Sequence, residues 1–319
     1  MWPFSTPGIC VYDWSAWTGM LISNVDKRAQ RIRARFGESP KRLLRRLPRG
    51  INRLLFHLDI SDEAPFSTDR PELLQLLSER GIELWNGHIP NICKRTVVSA
   101  CESYDLPSLR PAATGPTDEL LIVKTDLNCG GVREQLLPTI LKERHGLPSV
   151  PGKMMNRNDY FVRPRGELSS EIWNDPELVV ERYLTNSAGR FFRVYVVKNS
   201  VVVSQGFTDS KFKRMNGDVR RQNFWLWRES EAVVPFRGSG SELPPALLRI
   251  LGVFIARFRV DYAAIDVVEG NQEDFYIVDV NKTAYWGHEY QEGLLEHLRR
   301  GFDAPVEYEA AAPAMRRKG

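Results

Sequence analysis

Two β-rich runs in the C-terminal part of the chain, AAIDVVEG (263–270) and DFYIVDVN (274–281), are joined by a short polar turn. Runs of this kind predict two strands that pair as an antiparallel hairpin. Partners across a hairpin have a constant sum of residue numbers, and Asp266 and Asp279 are symmetric about the turn. Asn281 lies two residues beyond Asp279 and therefore shares its face of the sheet. The pattern predicts two carboxylates and an amide oxygen side by side.

This juxtaposition of like charges limits what the hairpin can do. Carboxylates that face each other on a strand pair repel, unless a cation lies between them. Carboxylate and amide oxygens, completed by water, suit Mg2+, above all Mg2+ that already carries phosphate groups. The sequence therefore predicts a magnesium site at Asp266, Asp279 and Asn281. The alternative is an ordinary hairpin with two solvent-facing aspartates, in which Asn281 only ends the strand.

Composition excludes several other classes of protein. The chain has 319 residues, of which 42% are apolar and 26% are charged, and this globular balance suits about two domains. It contains no apolar run long enough to cross a membrane, and its first residues lack the pattern of a secretory signal. Its cysteines and histidines lack zinc or haem spacing. We therefore expect no membrane span and a location in the reducing cytoplasm.

Strand and helix patterns alternate along the N-terminal part. RLLFHLDI (53–60) and GIELWN (81–86) are predicted strands, and a leucine-rich helix over 69–80 separates them. A second helix follows within 91–105, with Asn91 as its capping residue. Such alternation predicts a parallel sheet.

The middle of the chain is richer in strands. ELLIVKTD (119–126) and LVVERYL (178–184) are predicted strands, and a glycine-bearing turn, LNCGG, follows the first. FFRVYVV and SVVVSQGF are predicted to form a hairpin around Lys198 and Asn199. The run 244–258 has the apolar spacing of a helix and begins with two prolines, which suit a first turn.

The order of these features resembles the ATP-grasp superfamily. A lysine strand with a glycine turn, the strand LVVERYL, an arginine strand and the D…D-x-N hairpin follow one another as in that family. The resemblance spans 82–290 and is greatest to carboxylate–amine ligases, such as D-alanine–D-alanine ligases and ribosomal-tail glutamate ligases. It implies an α/β ATP-grasp fold with an N-terminal α/β domain (1–92), two α+β lobes that clasp the nucleotide (93–190 and 191–305), and a flexible tail (306–319).

The resemblance also implies bound ATP and Mg2+ and assigns roles to individual residues. The nucleotide-binding positions are Lys94, Lys124, Cys129, Gly130, Gly131, Glu181, Tyr183 and Leu184. The metal ligands are Asp266, Asp279 and Asn281, and the catalytic arginines are Arg193 and Arg221. The implied substrate pocket contains Asn223, Lys282, Tyr285 and His288.

The sequence departs from the family pattern at three places. Asp279 stands where the family commonly has Glu, so the shorter side chain must lie closer to a metal. After LVVERYL the family often has a carboxylate for the ribose hydroxyls, and here only Asn186 or Ser187 is available. KTAYWGH replaces the usual Pro-Gly turn after the metal-binding Asn. Single residues also have plainer interpretations: Lys124 could be a strand-end lysine that reaches solvent, and Glu181 an exposed strand residue.

The resemblance implies an enzyme that joins a carboxylate to an amine. ATP would phosphorylate the carboxylate of a small molecule or peptide, and an amine acceptor would attack the acyl phosphate, forming an amide and releasing ADP and phosphate. Two alternatives stay open. One is a phosphotransferase on the same fold that acts on a hydroxyl acceptor, and the other is a nucleotide-binding module without catalysis.

The segment 27–53 is strongly basic. It carries eleven lysines and arginines against the single acid Glu38, a net charge of +10, whereas the whole chain carries +4. Such a segment can contact an acidic substrate or partner, nucleic acid or anionic lipid. The alternative is a solvated face that keeps the protein soluble. No aromatic pattern for base stacking accompanies the charges.

Overall fold

The computed structural model describes residues 8–14, 20–66, 69–147, 159–210, 220–228, 231–237, 242–271, 274–286 and 292–303. Its strands form a four-stranded, a three-stranded and a six-stranded sheet, in that order along the chain. None of the helices in the described ranges has the length and apolar character needed to cross a bilayer.

The N-terminal sheet has the strand order β2-β1-β3-β4, and all of its neighbouring strands are parallel. Its elements are β1 (Gly8–Asp13), α1 (Leu21–Val25), β2 (Gln30–Arg33), α2 (Pro40–Arg46), β3 (Ile51–His57), α3 (Arg70–Ser78) and β4 (Glu83–Trp85). The parallel sheet predicted from the alternating pattern is confirmed. Asp69 caps the N-terminus of α3, because its carboxylate accepts a hydrogen bond from the Glu72 backbone N–H. Pro71 lies in the first turn of this helix.

The middle sheet has the order β6-β5-β7 and is antiparallel. Its elements, with the helix that precedes them, are α4 (Lys94–Ser103), β5 (Leu120–Thr125), α5 (Thr139–Arg144), β6 (Phe161–Pro164), α6 (Ser170–Asn174) and β7 (Leu178–Arg182). The glycine turn lies directly after β5, as a 3-10 turn over Asn128–Gly131.

The large sheet has the order β11-β10-β9-β8-β12-β13. Its elements are β8 (Arg190–Val197), β9 (Ser200–Phe207), β10 (Arg220–Arg228), β11 (Val234–Pro235), α7 (Pro245–Phe258), β12 (Tyr262–Glu269), β13 (Phe275–Asn281) and α8 (Glu292–Arg299). The predicted hairpin around Lys198 and Asn199 is confirmed, because Val197 pairs with Ser200. The predicted helix over 244–258 is confirmed as α7.

Both faces of the large sheet are covered by apolar packing. One face, with Phe192 and Val203, packs against α4 and α7. The opposite face, with Tyr195 and Tyr262, packs against α1, α8 and the N-terminal sheet, where Val11 belongs to the same cluster. Alternation along each strand therefore sends every second side chain toward the N-terminal sheet. Helix α4, which precedes the middle sheet in the chain, packs on the large sheet, with Val97 and Cys101 in the same apolar cluster as Phe192.

Asn86 joins the N-terminal sheet to the large one. It follows β4 with a positive φ of 58° and is fully buried. Its backbone N–H donates to the Asp261 carboxylate at 2.7 Å, and its side-chain amide donates to the Tyr262 carbonyl at 2.7 Å. The amide oxygen accepts from the backbone N–H groups of Asp261 and Tyr262. These four bonds fix the start of β12 against the end of β4.

Candidate active site

The hairpin register brings the predicted metal ligands together. Strands β12 and β13 pair with Asp266 opposite Asp279 and with Asn281 opposite Ala264, so the predicted register is confirmed. A bulge follows between Asp266 and Val267. Bulges often lie beside functional side chains because they change the direction in which a side chain points. The two carboxylates and the amide therefore share one face of the large sheet.

Strand β8 adds a positive charge beside the carboxylates. Arg193 is the register partner of Asp266, and its Nη1 lies 3.2 Å from each carboxylate oxygen. Burial raises the pKa of Asp266 to about 6, against the opposing charge of Arg193 and with a further contribution from Asp279. Burial disfavours the Arg193 cation, but the negative charges around it, with Asp266 the strongest, raise its pKa. Arg193 offsets one of the two negative charges of this pair of acids.

The donor set fits a divalent cation that carries phosphate. No group of three or more His, Cys, Asp or Glu side chains that could hold a metal ion occurs in the described ranges. The candidate donor set here is two carboxylates and one amide. Two opposed carboxylates call for a cation between them, and hard oxygen donors suit Mg2+. The Nε of Arg193 is buried and has no hydrogen-bond partner in the described structure, which leaves a donor for an anion beside the metal ligands.

The glycine loop has the backbone of an anion-binding turn. Cys129, Gly130 and Gly131 have positive φ values of 50°, 73° and 74°. Consecutive residues of this kind form a concave turn that can direct N–H groups at one anion. Gly131 is required, since a Cβ there would lie 2.8 Å from the Leu127 side chain and would also strain the backbone. Cys129 is exposed at the tip of the loop.

Asn128 fastens this loop to β13, the strand that bears Asp279 and Asn281. Its side-chain amide donates to the Val280 carbonyl at 3.0 Å, between two of the predicted metal ligands. Its backbone N–H donates to the Ser61 hydroxyl at 2.8 Å. Lys94 holds the loop from the other side, with its Nζ 2.9 Å from the Leu127 carbonyl. Asn128 was not among the predicted site residues, although it lies directly before Cys-Gly-Gly in the sequence.

Lys124 and Glu181 form a buried ion pair across the middle sheet. The Lys124 Nζ lies 2.6 Å from Glu181 Oε2, and the two residues are 7% and 2% exposed. These values argue against a solvent-reaching lysine and an exposed strand glutamate. The second carboxylate oxygen of Glu181 is buried and has no hydrogen-bond partner in the described part of the chain. An acceptor of this kind fits an amino group such as that of adenine.

The connection from β7 to β8 contains the remaining predicted nucleotide residues. Tyr183 donates its backbone N–H to the Leu120 carbonyl at 2.9 Å, and Leu184 follows it, half-buried. The Asn186 side chain donates to the Arg190 carbonyl at 2.5 Å and shapes this turn. Of the two suggested ribose contacts, only Ser187 is therefore left on the surface.

The described residues of the implied substrate pocket, Asn223, Lys282 and Tyr285, lie in different surroundings. Asn223 pairs with Gln205, the register partner of Phe192, so it lies on the face opposite Arg193. Its amide donates to the Gln205 side chain at 3.0 Å. Tyr285 is 56% exposed and bridges to Met20. His288 lies outside the described residues, as does the side chain of Arg221, whose backbone belongs to β10.

Lys282, which directly follows β13, lies in the interior of the protein. It is fully buried, and its Nζ donates to the Glu63 carboxylate and, at 2.6 Å, to the Ile89 carbonyl. Arg70 also pairs with Glu63. Burial lowers the pKa of Lys282, against the attraction of Glu63. Lys282, which the resemblance implied as a substrate contact, thus connects the end of β13 to the N-terminal part of the chain.

Residues 58–63, the β3 exit loop, contact both halves of the site. Ser61 receives the Asn128 backbone N–H and donates its own backbone N–H to the Glu134 carboxylate at 2.7 Å. Asp59 accepts a hydrogen bond from the Thr283 hydroxyl at 3.0 Å, and Arg133 lies 2.7 Å from it. With the Lys282 contact, these bonds fix the glycine loop relative to the metal-binding strand.

Comparison with solved structures identifies the architecture. A structure of the ATP-grasp ligase PsnB, complexed with precursor peptide PsnA2 and AMPPNP, is similar with a TM-score of 0.50; at 12% identity the match covers 94% of this chain and 99% of that one. The chain has the ATP-grasp fold. The predicted fold class is confirmed, with a small N-terminal α/β unit ahead of the two further sheets.

Two further solved structures are similar at a lower score. They are macrocyclase MdnC bound with precursor peptide MdnA from Microcystis aeruginosa (TM-score 0.47, 10% identity, 93% of this chain and 98% of that one) and carboxyaminoimidazole ribonucleotide synthase from Aspergillus clavatus complexed with ATP (TM-score 0.49, 11% identity, 96% and 79%). Comparison by sequence finds no matching family model and no matching curated protein.

Proposed function

We propose that the protein is an ATP-dependent carboxylate–amine ligase that forms an amide through an acyl phosphate and releases ADP and phosphate. The contact between Asn128 and the Val280 carbonyl carries the proposal. It places a glycine loop of anion-binding shape directly against the strand that bears Asp279 and Asn281. A phosphate chain and the cation that neutralises it need this juxtaposition.

The nucleotide would lie between the middle sheet and the large sheet. Lys124 supplies a positive charge and Glu181 Oε1 an acceptor for the amino group of adenine. The backbone of Tyr183 and Leu184 would line the adenine. The glycine loop, supported by Lys94, would face the phosphates with its N–H groups.

Asp266, Asp279 and Asn281 would hold Mg2+, which supplies neutralisation of the phosphate charge when it is bound. Arg193 lies beside these ligands and has a donor left for a phosphate oxygen. A fixed donor aimed at a transferring phosphoryl group stabilises charge that develops in the transition state. Arg193 would thus act on the γ-phosphate while its Nη1 stays with Asp266.

The reaction then needs orientation and exclusion of water more than a protein nucleophile. A substrate carboxylate oxygen attacks the γ-phosphorus, and the bond to the ADP oxygen breaks. The amine attacks the acyl carbon, phosphate leaves with its electron pair, and the amine loses a proton. Water would hydrolyse the acyl phosphate, so the loop must cover it during both steps. Asn128 holds the loop in that position.

A phosphotransferase with a hydroxyl acceptor is the second candidate. Lys282 and Asn223, both implied in the acceptor pocket, are engaged elsewhere, so neither residue speaks for an amine rather than a hydroxyl acceptor. In that reaction the hydroxyl oxygen takes the phosphoryl group and no amide forms.

Amine dependence separates these candidates. The chain would be incubated with Mg2+, ATP and a panel of amino acids and short peptides, and ADP would be measured with and without a second amine. Hydroxylamine would be added in parallel, because it converts an acyl phosphate to a stable hydroxamate. We expect hydroxamate from a carboxylate substrate and amine-dependent phosphate release. ADP formation with a hydroxyl acceptor and without hydroxamate would favour the phosphotransferase, and nucleotide binding without turnover would favour a binding module.

A further inference from the structure

A cavity of about 400 Å3 opens at the carboxyl ends of β1 and β2, in the N-terminal sheet. Among the described residues, Asp13, Trp14, Arg31 and Arg33 line it. The first three strands of this sheet are parallel, so residues at their carboxyl ends meet at one edge. The cavity therefore lies at the edge where loops of a parallel sheet present side chains to a ligand.

The charges in this cavity do not balance. The Asp13 carboxylate is fully buried, and it contacts the Nδ1 of His57 at 2.9 Å and the Nε of Arg31 at 2.5 Å. Arg31 therefore forms an ion pair with Asp13. Arg33 forms no ion pair among the described residues; only its backbone carbonyl is engaged, by Arg46. The cavity therefore presents one uncompensated guanidinium.

The wall next to the guanidinium is aromatic. The Trp14 ring packs on Phe66 with centroids 5.2 Å apart and on Phe36 at 6.0 Å. Phe36 and Phe66 contact each other at 4.7 Å, which closes the cluster. An aromatic surface beside an arginine suits a ligand group with a short apolar stem and an anionic end.

The cavity lies at the end of the N-terminal sheet and touches both of its faces, because Trp14 packs with Phe66 in the cluster on the face away from the large sheet. Asp13 shares its strand face with Val11, which packs in the cluster between the two sheets. Behind Asp13, the His57 ring lies 5.9 Å from the Tyr262 ring. Tyr262 and Asp266 share a face of β12 and are four residues apart, which corresponds to about 13 Å. Cavity and candidate active site are therefore separated by roughly 15–20 Å, a span of about five or six extended residues.

We propose that this cavity binds a carboxylate side chain of an acidic peptide substrate, with Arg33 as its ion-pair partner and Trp14 against its methylene groups. The inference rests on the proposed function, since it describes how the ligase would hold a peptide away from the reacting carboxyl group. A single free guanidinium beside a buried aspartate fits a monoanion better than a dianionic phosphate. The other cations of segment 27–53 attract such a peptide at longer range.

Peptide binding without ATP tests this inference separately from catalysis. Binding of pentaglutamate to the full chain would be measured by calorimetry at low salt, for the wild type, Arg33→Gln and the matched control Arg49→Gln. Arg49 is exposed, belongs to the same basic segment and has no ion-pair partner among the described residues. It precedes Gly50, which accepts a bond from Gly8 at the opposite end of the sheet.

We expect Arg33→Gln to weaken binding at least tenfold, with an unchanged melting temperature, and Arg49→Gln to weaken it less than twofold. Equal losses in the two variants would show a general charge effect and overturn the inference. Competition by inorganic phosphate at lower concentration than by acetate would also overturn it in favour of a phosphate site. If peptide binding depends on Arg33 but no ADP is ever formed, the inference holds and the proposed function fails.

Discussion

The buried Lys282, directly after β13, connects the candidate site to the N-terminal part of the chain. Its replacement by methionine tests how much this connection stabilises the fold. Lys282→Met keeps the stem volume but removes a fully buried ammonium and its bonds to Glu63 and Ile89. Loss of one partner of a buried pair costs about 3–5 kcal/mol when the other charge is left alone. Arg70 still contacts Glu63, so we expect a loss of about 3 kcal/mol in unfolding free energy.

A surface pair supplies the control for this change. Lys41 contacts Glu72 at 3.8 Å, and its side chain is 76% exposed, so Lys41→Met should cost less than about 0.5 kcal/mol. Urea unfolding followed by circular dichroism would compare the variants. Adding Glu63→Gln to Lys282→Met should cost less than the sum of the single changes, because the two residues interact. Equal urea midpoints for Lys282→Met and Lys41→Met would show that the buried contact of Lys282 with Glu63 does not stabilise the fold.

Three further changes are expected to act at separate points. Asp279→Asn should lower turnover at least about a hundredfold by removing one charge from the metal site, whereas Asp274→Asn, at the exposed turn of the same hairpin, should keep wild-type turnover in a coupled ADP assay. Cys129→Ser should keep most of the activity in the ADP assay. Alkylation of Cys129 should block nucleotide binding, measured by calorimetry, because the added group fills the space beside the glycine loop. Arg46→Gln should lower unfolding free energy by about 2–3 kcal/mol, because it leaves the buried Glu38 carboxylate without its cation; a loss below 0.5 kcal/mol, within the range of a surface substitution, would contradict that.

The order of strands and helices and the register of the β12–β13 hairpin could be predicted, because both follow from patterns among residues that are close in sequence. Alternation with a period of two and a symmetric turn determine which residues pair, so Asp266 met Asp279 in the structure as expected. In this case backbone geometry alone decides which side chains meet. Lys124 and Glu181 also lie on predicted strands that pair, but Lys124 is opposite Val179 and Glu181 is opposite Ile122, and their ion pair was not predicted.

Other parts of the site depend on contacts that no local pattern records. Asn223 follows an irregular register near Arg220, and that shift decides the face on which it lies. Lys282 is buried because Glu63, 219 positions away, reaches it. The role of Asn128 likewise depends on a carbonyl from the distant strand β13. Residues of this kind can be assigned only once the sheets are packed together.

We propose that the glycine loop over Asn128–Gly131 and the hairpin formed by β12 and β13 make up one nucleotide site. Calorimetric binding of a non-hydrolysable ATP analogue, with and without Mg2+, tests it for the wild type, Lys124→Gln, Asp266→Asn and the control Asp274→Asn. We expect Mg2+-dependent binding that is at least tenfold weaker in each of the first two variants, which lie on different sheets, and unchanged in the control. Wild-type affinity in Asp266→Asn, or binding that is indifferent to Mg2+, would contradict the account.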